Sequence, residues 1–432
     1  MKITVPPALA DRVVRPGSPE YRLLRSTYTR VHSPAAVILP RSPEEVRAAL
    51  EMVHDTGLPL AVRSGGHSMS GRSSNDGGIV IDLSGLHRVD VVDRGRRLVR
   101  IEAGARWGRV ARTLAEHGLA LSSGDHGNVG VGGLATAGGI GWLVRKYGLT
   151  IDRLRAAEVV LADGTITTVD ADRDPELFWG LRGGGGTLAI VTAFVFEAVK
   201  ITRVAVAQLQ VEVSNARSSL VAWDEYLRTA PRELTATMTL FGGRKGTATA
   251  QLTAVYAGDD PSTASRVFRP LGDLGPVRDS AAQLMPYRAL VPVAHEHPNV
   301  GQQDSFVRNG FVDKLDDEVQ RRVFGLTGAP EVLVQIRALG GAIGDVDEDA
   351  TAFAHRHQSA MIVGTVWGAG NIVTLDESIT PLARHFTGAY VNFDADGDRA
   401  IADLAFPLPT RQRLARLKHR VDPNGLFPAY SV

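Results

Sequence analysis

The sequence predicts an α+β protein with more than one domain. Its 432 residues exceed the length of one ordinary domain, so two or three domains are expected. Residues 34–200 alternate short strand and helix patterns and are rich in glycine, whereas longer alternating strand patterns follow residue 200. Those longer strands predict an antiparallel sheet packed against helices.

Local patterns predict the individual elements of the first 200 residues. Ser42 precedes proline, glutamate and an apolar helical repeat, which predicts a capped helix at 42–57. Asp163-Gly164 between two strand patterns predicts a hairpin over 154–170. The other predicted elements here are a short apolar strand that ends at the loop 63–68, strands at 77–83, 97–105 and 187–199, and helices at 107–118 and 175–184.

The second half is organised differently. Strand patterns at 204–213 and 246–258 alternate with a helix pattern at 218–230. The last predicted helix, at 410–425, is basic and ends at Asp-Pro-Asn-Gly. The sequence has no internal repeat and no low-complexity linker, so we expect the two halves to pack tightly.

Charge and composition limit the classes of function. Lys and Arg total 48 against 47 Asp and Glu, which gives no reason to expect nucleic acid or a membrane as partner. The chain has no cysteine, so disulfides, thiolate catalysis and Cys-ligated metals are excluded. The N-terminus lacks the apolar core of a signal peptide, and the longest apolar stretch, 188–196, is too short to span a bilayer. We expect a cytoplasmic protein; its oligomeric state is not visible in the sequence.

The first candidate site is the loop RSGGHS at residues 63–68, which follows a predicted strand. Gly65 and Gly66 have no side chains, so backbone N–H groups there can approach a ligand closely and wrap a diphosphate. Arg63 either supplies charge to the ligand or anchors the loop. A tight loop without a ligand is the alternative interpretation.

The second candidate site is a denser glycine cluster, with eight glycines in residues 124–141. Residues 130–135 match the dinucleotide pattern G-x-G-x-x-A, with Asp152 at a suitable distance downstream. That pattern requires a strand directly before its first glycine, whereas the residues before Gly130 are typical of a loop. We therefore reject a nicotinamide site and expect a large flat or phosphorylated ligand against this backbone.

Three segments in this order resemble one family. The loop RSGGHS, the run VGVGG…GGIGWL…KYGL and the segment ELFWGLRGGGG…IVT are similar to the PCMH-type FAD-binding domain of the vanillyl-alcohol-oxidase superfamily. The berberine-bridge-enzyme-like branch is the most similar, and the resemblance resumes at 339–356, 387–393 and 414–427.

The resemblance implies a fold in three parts. An FAD-binding domain of two α/β subdomains would occupy residues 1–200, with its core at about 30–200. An α+β substrate domain with an antiparallel sheet would occupy 201–385. The C-terminal segment, 386–432, would return to the FAD-binding domain.

The resemblance also implies how FAD is attached. His67 matches the histidine that many members bond to the methyl group at flavin position 8. Many relatives add a second tether, a cysteine, where this chain has His126. FAD would therefore be covalent through His67 only, as in bacterial members with a single histidyl link. His126 would lie near the flavin edge as a hydrogen-bond partner, a pocket wall or an acid/base catalyst.

Further positions acquire roles from the same resemblance. Val129 stands where the residue size governs access of O2, and valine favours an oxidase. Ile190 and Thr192 match backbone contacts to the adenine side. The predicted cofactor-binding residues are Arg63, Ser64, Gly65, Gly66, His67, Ser68, Gly124, Val129, Gly132, Gly133, Thr136, Gly138, Gly139, Gly141, Ile190, Tyr390 and Asn392.

Tyr390 and His126 are the predicted catalytic residues. Tyr390 and Asn392 match a strand that places polar groups beside the isoalloxazine. A phenol acts as a base at neutral pH only where a cation or hydrogen bonds lower its pKa. Simple packing of Tyr390 against the ring is the alternative.

The predicted function is an FAD-dependent oxidase of a small organic substrate. It would take hydride from a carbon bearing OH or NH and pass the electrons to O2, which gives H2O2. The alternatives are a dehydrogenase, an enzyme of oxidative cyclisation or desaturation in secondary metabolism, and a protein that binds a hydrophobic ligand without flavin. A sugar, a secondary amine, an aromatic alcohol and a polyketide all stay open as substrates.

Two histidine-containing segments are predicted to lie outside the chemistry. His355 and Arg356 fit packing or pocket lining better than catalysis. The sequence His-Glu-His at 295–297 lacks the helical spacing of a zinc motif, so no metal is predicted.

Overall fold

The computed structural model describes residues 4–214, 218–242, 247–293, 304–396 and 399–428. Within these ranges the strands form one mixed sheet, two large antiparallel sheets and a separate two-stranded pair. No helix in the described part of the chain has the length and apolar character that a membrane span requires.

The first sheet contains the strand that leads into the RSGGHS loop. Strands β2, β4 and β3 run parallel in that order, and β1 is added antiparallel at the edge. Helix α2 confirms the prediction at 42–57, since the Ser42 side chain accepts a hydrogen bond from the Glu45 amide and Gly57 ends the helix at φ 63°. The bounds are β1 Val13–Val14, β2 Ala36–Ile38, β3 Leu60–Arg63, β4 Ile79–Asp82, α1 Tyr21–Leu24 and α2 Pro43–Thr56.

The second sheet is antiparallel, with the order β5-β6-β10-β8-β9. The predicted hairpin is confirmed, because β8 pairs with β9 and Gly164 adopts φ 83° in the turn between them. Strands β7 and β11 pair separately. The bounds are β5 Val89–Asp93, β6 Leu98–Glu102, β7 Leu119–Ala120, β8 Leu154–Val160, β9 Ile166–Asp170, β10 Ile190–Glu197, β11 Val199–Lys200, α3 Trp107–Ala115, α4 Val131–Ala137, α5 Val144–Tyr147 and α6 Pro175–Leu181.

Helix α4 begins directly after Gly130, inside the second glycine cluster. The preceding strand, β7, ends at Ala120, and residues 121–130 contain only an isolated bridge at Gly130. The dinucleotide pattern is therefore not preceded by the strand that it requires. Asp152, the acidic residue of that pattern, instead forms an ion pair with Arg356 at 3.0 Å.

The third sheet confirms the antiparallel sheet predicted after residue 200. Its seven strands have the order β15-β12-β14-β13-β17-β18-β16, and all pairs are antiparallel. The bounds are β12 Arg203–Ser214, β13 Leu234–Gly242, β14 Thr247–Tyr256, β15 Val277–Pro286, β16 Ser305–Val312, β17 Leu333–Ala338, β18 Ala360–Trp367, α7 Ser219–Thr229, α8 Pro261–Phe268, α9 Asp317–Leu326 and α10 Ile372–Ala383.

The C-terminal segment packs against the first half of the chain. Tyr390, Leu417 and Phe427 belong to the hydrophobic core cluster that also contains most of the buried residues before 200. Helix α11 spans Arg399–Ala405, and α12 spans Leu408–Val421. Helix α12 ends four residues earlier than predicted because Pro423 disfavours helical backbone at the preceding residue. The domain boundaries near 200 and 385 stay a prediction.

Candidate functional site

A cavity of about 520 Å³ lies between the two glycine clusters, the loop 185–187, strand β17 and the C-terminal segment. Its wall contains most of the residues that the sequence identified. The predicted residues that line it are Ser64, Gly65, Gly66, His67, Ser68, Gly124, His126, Val129, Gly132, Gly133, Thr136, Ile190, Tyr390 and Asn392.

The two glycine clusters contact each other through their backbones. A Cβ on Gly130 would lie 2.1 Å from the Gly65 amide nitrogen, and a Cβ on Gly65 would lie 2.2 Å from the Gly130 amide nitrogen. The Ser64 hydroxyl fixes the contact further, since it donates to the Ala103 carbonyl at 2.6 Å and accepts from the Gly132 amide at 3.2 Å. Glycine is therefore required at both positions for the loops to meet.

Arg63 anchors the loop from beneath and does not line the cavity. Its Nε donates to the Asp82 carboxylate at 2.7 Å, and its two terminal nitrogens donate to the carbonyl oxygens of Ser26 and Leu24. Only 2% of Arg63 is exposed. The structure thus corrects the prediction that the Arg63 side chain contacts the cofactor, and it favours the anchoring role.

Replacing Arg63 with methionine is expected to destabilise the protein by about 3–5 kcal/mol, because Asp82 would keep a buried charge without its partner. Equilibrium urea unfolding measures this change. Arg232→Met is the matched control, since the Arg232–Asp345 pair is exposed and its loss should change the free energy of unfolding by less than about 1 kcal/mol. Equal effects of the two substitutions would contradict the anchoring role.

Three predicted glycines of the second cluster do not line the cavity. A Cβ on Gly139 would lie 2.1 Å from the Thr150 hydroxyl, and one on Gly141 would lie 1.8 Å from the Ser123 carbonyl. Gly138, at φ 140°, lies beneath Phe353. Close chain packing is therefore enough to require glycine at all three positions, and a contact of Gly138, Gly139 or Gly141 with the cofactor stays a prediction.

His67 lies in the cavity wall between two other rings. The Tyr28 ring stacks on it with centroids 4.5 Å apart at 15°, and the His126 ring is tilted with centroids 5.3 Å away. His126 Nδ1 accepts a hydrogen bond from the Asn128 amide at 3.2 Å. A neutral His126 therefore carries its proton on Nε2 and presents a donor rather than an acceptor there.

Tyr390 is buried in the cavity wall, and its hydroxyl oxygen accepts two hydrogen bonds. The donors are the Gly139 amide at 3.1 Å and Asn392 Nδ2 at 3.3 Å. Asn392 Nδ2 also donates to the Gly133 carbonyl, which only accepts, so the orientation of this amide is fixed.

Burial raises the pKa of Tyr390 above its ordinary value, although both hydrogen bonds act in the opposite direction. The phenol therefore keeps its proton at neutral pH. Because two donors occupy the lone pairs of its oxygen, that proton is the group's remaining hydrogen-bonding capacity. The geometry favours Tyr390 as a hydrogen-bond donor over the predicted base.

An ion pair that no sequence pattern predicted lies in the cavity wall. Arg337, on β17, donates to the Asp125 carboxylate at 2.7 Å, and its guanidinium carbon lies 4.9 Å from the centroid of the Phe393 ring. Only 8% of Arg337 is exposed. Its Nε donates to the Gln335 side-chain oxygen at 2.7 Å, so a second residue of β17 helps to hold the guanidinium. An arginine within a mainly apolar strand pattern is the sequence signal that could have marked this residue.

Other predicted positions lie away from the cavity. His355 is buried with its Nε2 2.9 Å from the Ala405 carbonyl, and burial lowers its pKa. Arg356 pairs with Asp152. His355 and Arg356 therefore both have packing roles, as expected. The Thr192 hydroxyl donates to the Glu158 carbonyl and does not line the cavity. His295, Glu296 and His297 lie outside the described residues.

These residues fit a flavin dinucleotide. Gly66 lines the cavity at φ 70°, and a Cβ on Gly133 would meet nothing within 4 Å, so both expose backbone to the cavity. Leu83 and Ile190 add apolar wall, and His67 adds an imidazole. Exposed glycine backbone suits a diphosphate, and the apolar wall suits the flat rings of such a cofactor.

Comparison with known proteins gives the same cofactor. A family model described as "FAD binding domain" matches residues 34–170. An uncharacterized FAD-linked oxidoreductase, YgaK, of Bacillus subtilis is 29% identical over 97% of this chain and 96% of its own length. Glucooligosaccharide oxidase of Sarocladium strictum is 38% identical over 47% of this chain and 42% of its own length.

Solved structures share the fold over the whole chain. The structure of 6-hydroxy-D-nicotine oxidase from Arthrobacter nicotinovorans superposes with a TM-score of 0.88 at 22% identity and covers 100% of this chain and 99% of its own. Glucooligosaccharide oxidase from Acremonium strictum, described with a 6-S-cysteinyl, 8α-N1-histidyl FAD, gives a TM-score of 0.87 at 24% identity over 98% and 97%. The chain therefore contains an FAD-binding domain, is similar to FAD-linked oxidoreductases, and shares its overall fold with these two oxidases.

Proposed function

We propose that the protein oxidises a small polar substrate at a C–OH or C–NH carbon, with FAD bonded to His67 alone and O2 as electron acceptor. The observation that carries the proposal is the His67 ring in the wall of a cavity built from glycine backbone. The cysteinyl link described for glucooligosaccharide oxidase has no counterpart, because this chain lacks cysteine. When bound, FAD supplies the hydride acceptor and the site of reoxidation.

The chain's own residues would orient the substrate. Tyr390 offers an O–H donor to acceptor atoms of the substrate, and His126, the other proposed catalytic residue, lies in the same cavity wall. Asp125 is the carboxylate among the lining residues, and it would accept a hydrogen bond from the substrate O–H or N–H. Val129 also lines the cavity, which supports its proposed role in admitting O2.

The polar groups favour a hydroxylated or amine-bearing substrate over an apolar one. A carboxylate, a guanidinium, a phenol and an imidazole converge on the cavity wall. Two relatives are named for oligosaccharide and hydroxynicotine oxidation, so these two classes are the first to test. A cytoplasmic location stays the prediction made from the sequence.

A substrate panel read out by H2O2 release tests the proposed function. The panel contains gluco- and xylo-oligosaccharides, 6-hydroxynicotine and aromatic alcohols, each with the purified protein in air. Peroxide formed in proportion to substrate consumed is the expected result. A protein without the visible absorbance of flavin, or a reduced protein that a quinone dye reoxidises much faster than air does, would contradict it.

Arg337→Met is expected to raise KM by about tenfold and to change kcat less, because a charged hydrogen-bonding group contributes about 1.5–3 kcal/mol. The substitution leaves the Asp125 carboxylate without its partner at the cavity wall. Steady-state kinetics with the best substrate of the panel measures the effect. Arg278→Met is the matched control, since the exposed Arg278 pairs with the exposed Glu212 outside the cavity. An unchanged KM would show that the pair does not position substrate.

A further inference from the structure

The C-terminal tail forms part of the cofactor cavity. Phe427 and Pro428 line it together with Gly185, Gly186 and Thr187. Phe427 is only 2% exposed and belongs to the main hydrophobic core. A residue that follows the last helix therefore completes the wall of a cavity built mainly from the first 200 residues.

One lysine connects this tail to the neighbouring loop. Lys418 Nζ donates to the Thr187 carbonyl at 2.7 Å, to the Asp422 carboxylate at 2.6 Å and to the Phe427 carbonyl at 2.8 Å. An ammonium group has three protons, so all three are used. The Nζ also lies 5.5 Å from the centroid of the Phe427 ring.

Asp422 holds the backbone of the same tail. Its two carboxylate oxygens accept hydrogen bonds from the Leu426 and Phe427 amides, both at 2.8 Å. The Asp422 side chain is fully buried. The intervening turn is closed by the Gly425 amide, which donates to the Asp422 carbonyl, and Gly425 adopts φ 66°.

Helix α12 gives this arrangement a rigid base. A Cβ on Gly180 of α6 would lie 2.5 Å from a methyl carbon of Leu417, so the two helices are in close contact. Lys418 follows Leu417 directly and reaches Thr187 from that fixed position. The loop 185–187 and the tail are therefore held by one cation on one packed helix.

We propose that Lys418, Asp422 and Phe427 form a C-terminal latch that closes the cofactor cavity and retains FAD independently of the covalent bond. The inference rests on the proposed function, since it takes FAD as the occupant. Lys418 and Asp422 are positioning residues, and Phe427 is the residue that contacts the cofactor. With the latch intact, FAD stays in the cavity before and without attachment to His67.

The test uses His67→Ala, in which FAD is not bonded and its release is measurable. Lys418→Met and Phe427→Ala are added separately, and the rise of flavin fluorescence gives the rate of FAD release. We expect both substitutions to accelerate release by about tenfold. Lys418→Met removes a charged hydrogen-bonding group, and Phe427→Ala removes part of the apolar wall. Arg420→Met is the matched control: Arg420 lies on the same helix but pairs with Asp174, and its loss should change release by less than about twofold.

A second readout separates retention from general stability. The unfolding midpoint of each FAD-free variant is measured beside its rate of FAD release. Phe427→Leu should restore slow release in part, because leucine replaces much of the apolar side chain in the cavity wall. Release at the parent rate in Phe427→Ala, or faster release in Arg420→Met to the same degree, would overturn the latch. If Lys418→Met does not fold, Phe427→Ala decides. A wild-type protein without any FAD would overturn the proposed function as well, whereas unchanged release from a protein that binds FAD overturns the latch alone.

Discussion

His67→Ala is expected to abolish covalent attachment of FAD while the protein still binds FAD reversibly. The substitution removes the imidazole from the cavity wall, and no cysteine exists to replace it as a tether. The glycine contact survives, because Ser64 and Gly130 hold the two loops together without the His67 side chain. Precipitation in acid measures the result: flavin colour should stay in the wild-type pellet and move entirely to the supernatant of the variant.

His126→Ala is the matched control for this experiment. His126 lies beside His67, with ring centroids 5.3 Å apart, and belongs to the same cavity wall. Its removal should leave the colour in the pellet, because His126 supplies no bond to FAD in the proposed arrangement. Colour that leaves the pellet with His126→Ala, or stays in it with His67→Ala, would show that attachment occurs elsewhere.

Local sequence patterns predicted those parts of the site that consist of residues adjacent in the sequence. The strand–glycine-loop sequence around His67 and the glycine cluster around Gly132 both line the cavity as expected. Both signals are strong because backbone contact with a ligand or another loop excludes a Cβ from several adjacent positions.

A glycine can be required because backbone is exposed to a ligand or because another part of the chain packs closely against it, and the sequence does not distinguish these two cases. Gly133 exposes backbone to the cavity, whereas Gly139 and Gly141 make room for Thr150 and the Ser123 carbonyl. Both requirements produce glycine, so the sequence pattern is the same. Which one applies depends on what lies opposite, and that is known only from the folded chain.

Residues that reach the site from distant elements carried little or no local signal. Arg337 comes from β17 and meets Asp125, which is more than 200 residues away in the chain. Phe427 reaches the cavity only because Asp422 and Lys418 turn the tail back. Such contacts depend on tertiary packing, which periodicity does not encode.

Tyr390→Phe is expected to lower turnover by about 100-fold, the usual consequence of removing one fixed donor from an active site. The substitution removes the O–H and leaves the ring in place beside Phe353 and Phe393. The Gly139 amide and Asn392 Nδ2 lose the oxygen that accepts from them, so a modest loss of stability accompanies the change. Tyr287→Phe is the matched control, since it also removes a buried hydroxyl but lies outside the cavity.

The pH dependence distinguishes a donor from a base. Burial raises the pKa of Tyr390, so the neutral phenol persists across the neutral range and its donor capacity is constant there. From about pH 6 to about pH 9, below the ordinary phenol pKa of about 10, the ratio of wild-type to Tyr390→Phe turnover should therefore stay level. A base would act as the phenolate, whose fraction rises tenfold with each pH unit below the pKa, so the ratio would climb with pH. A climbing ratio would restore the base role, which the burial of Tyr390 argues against.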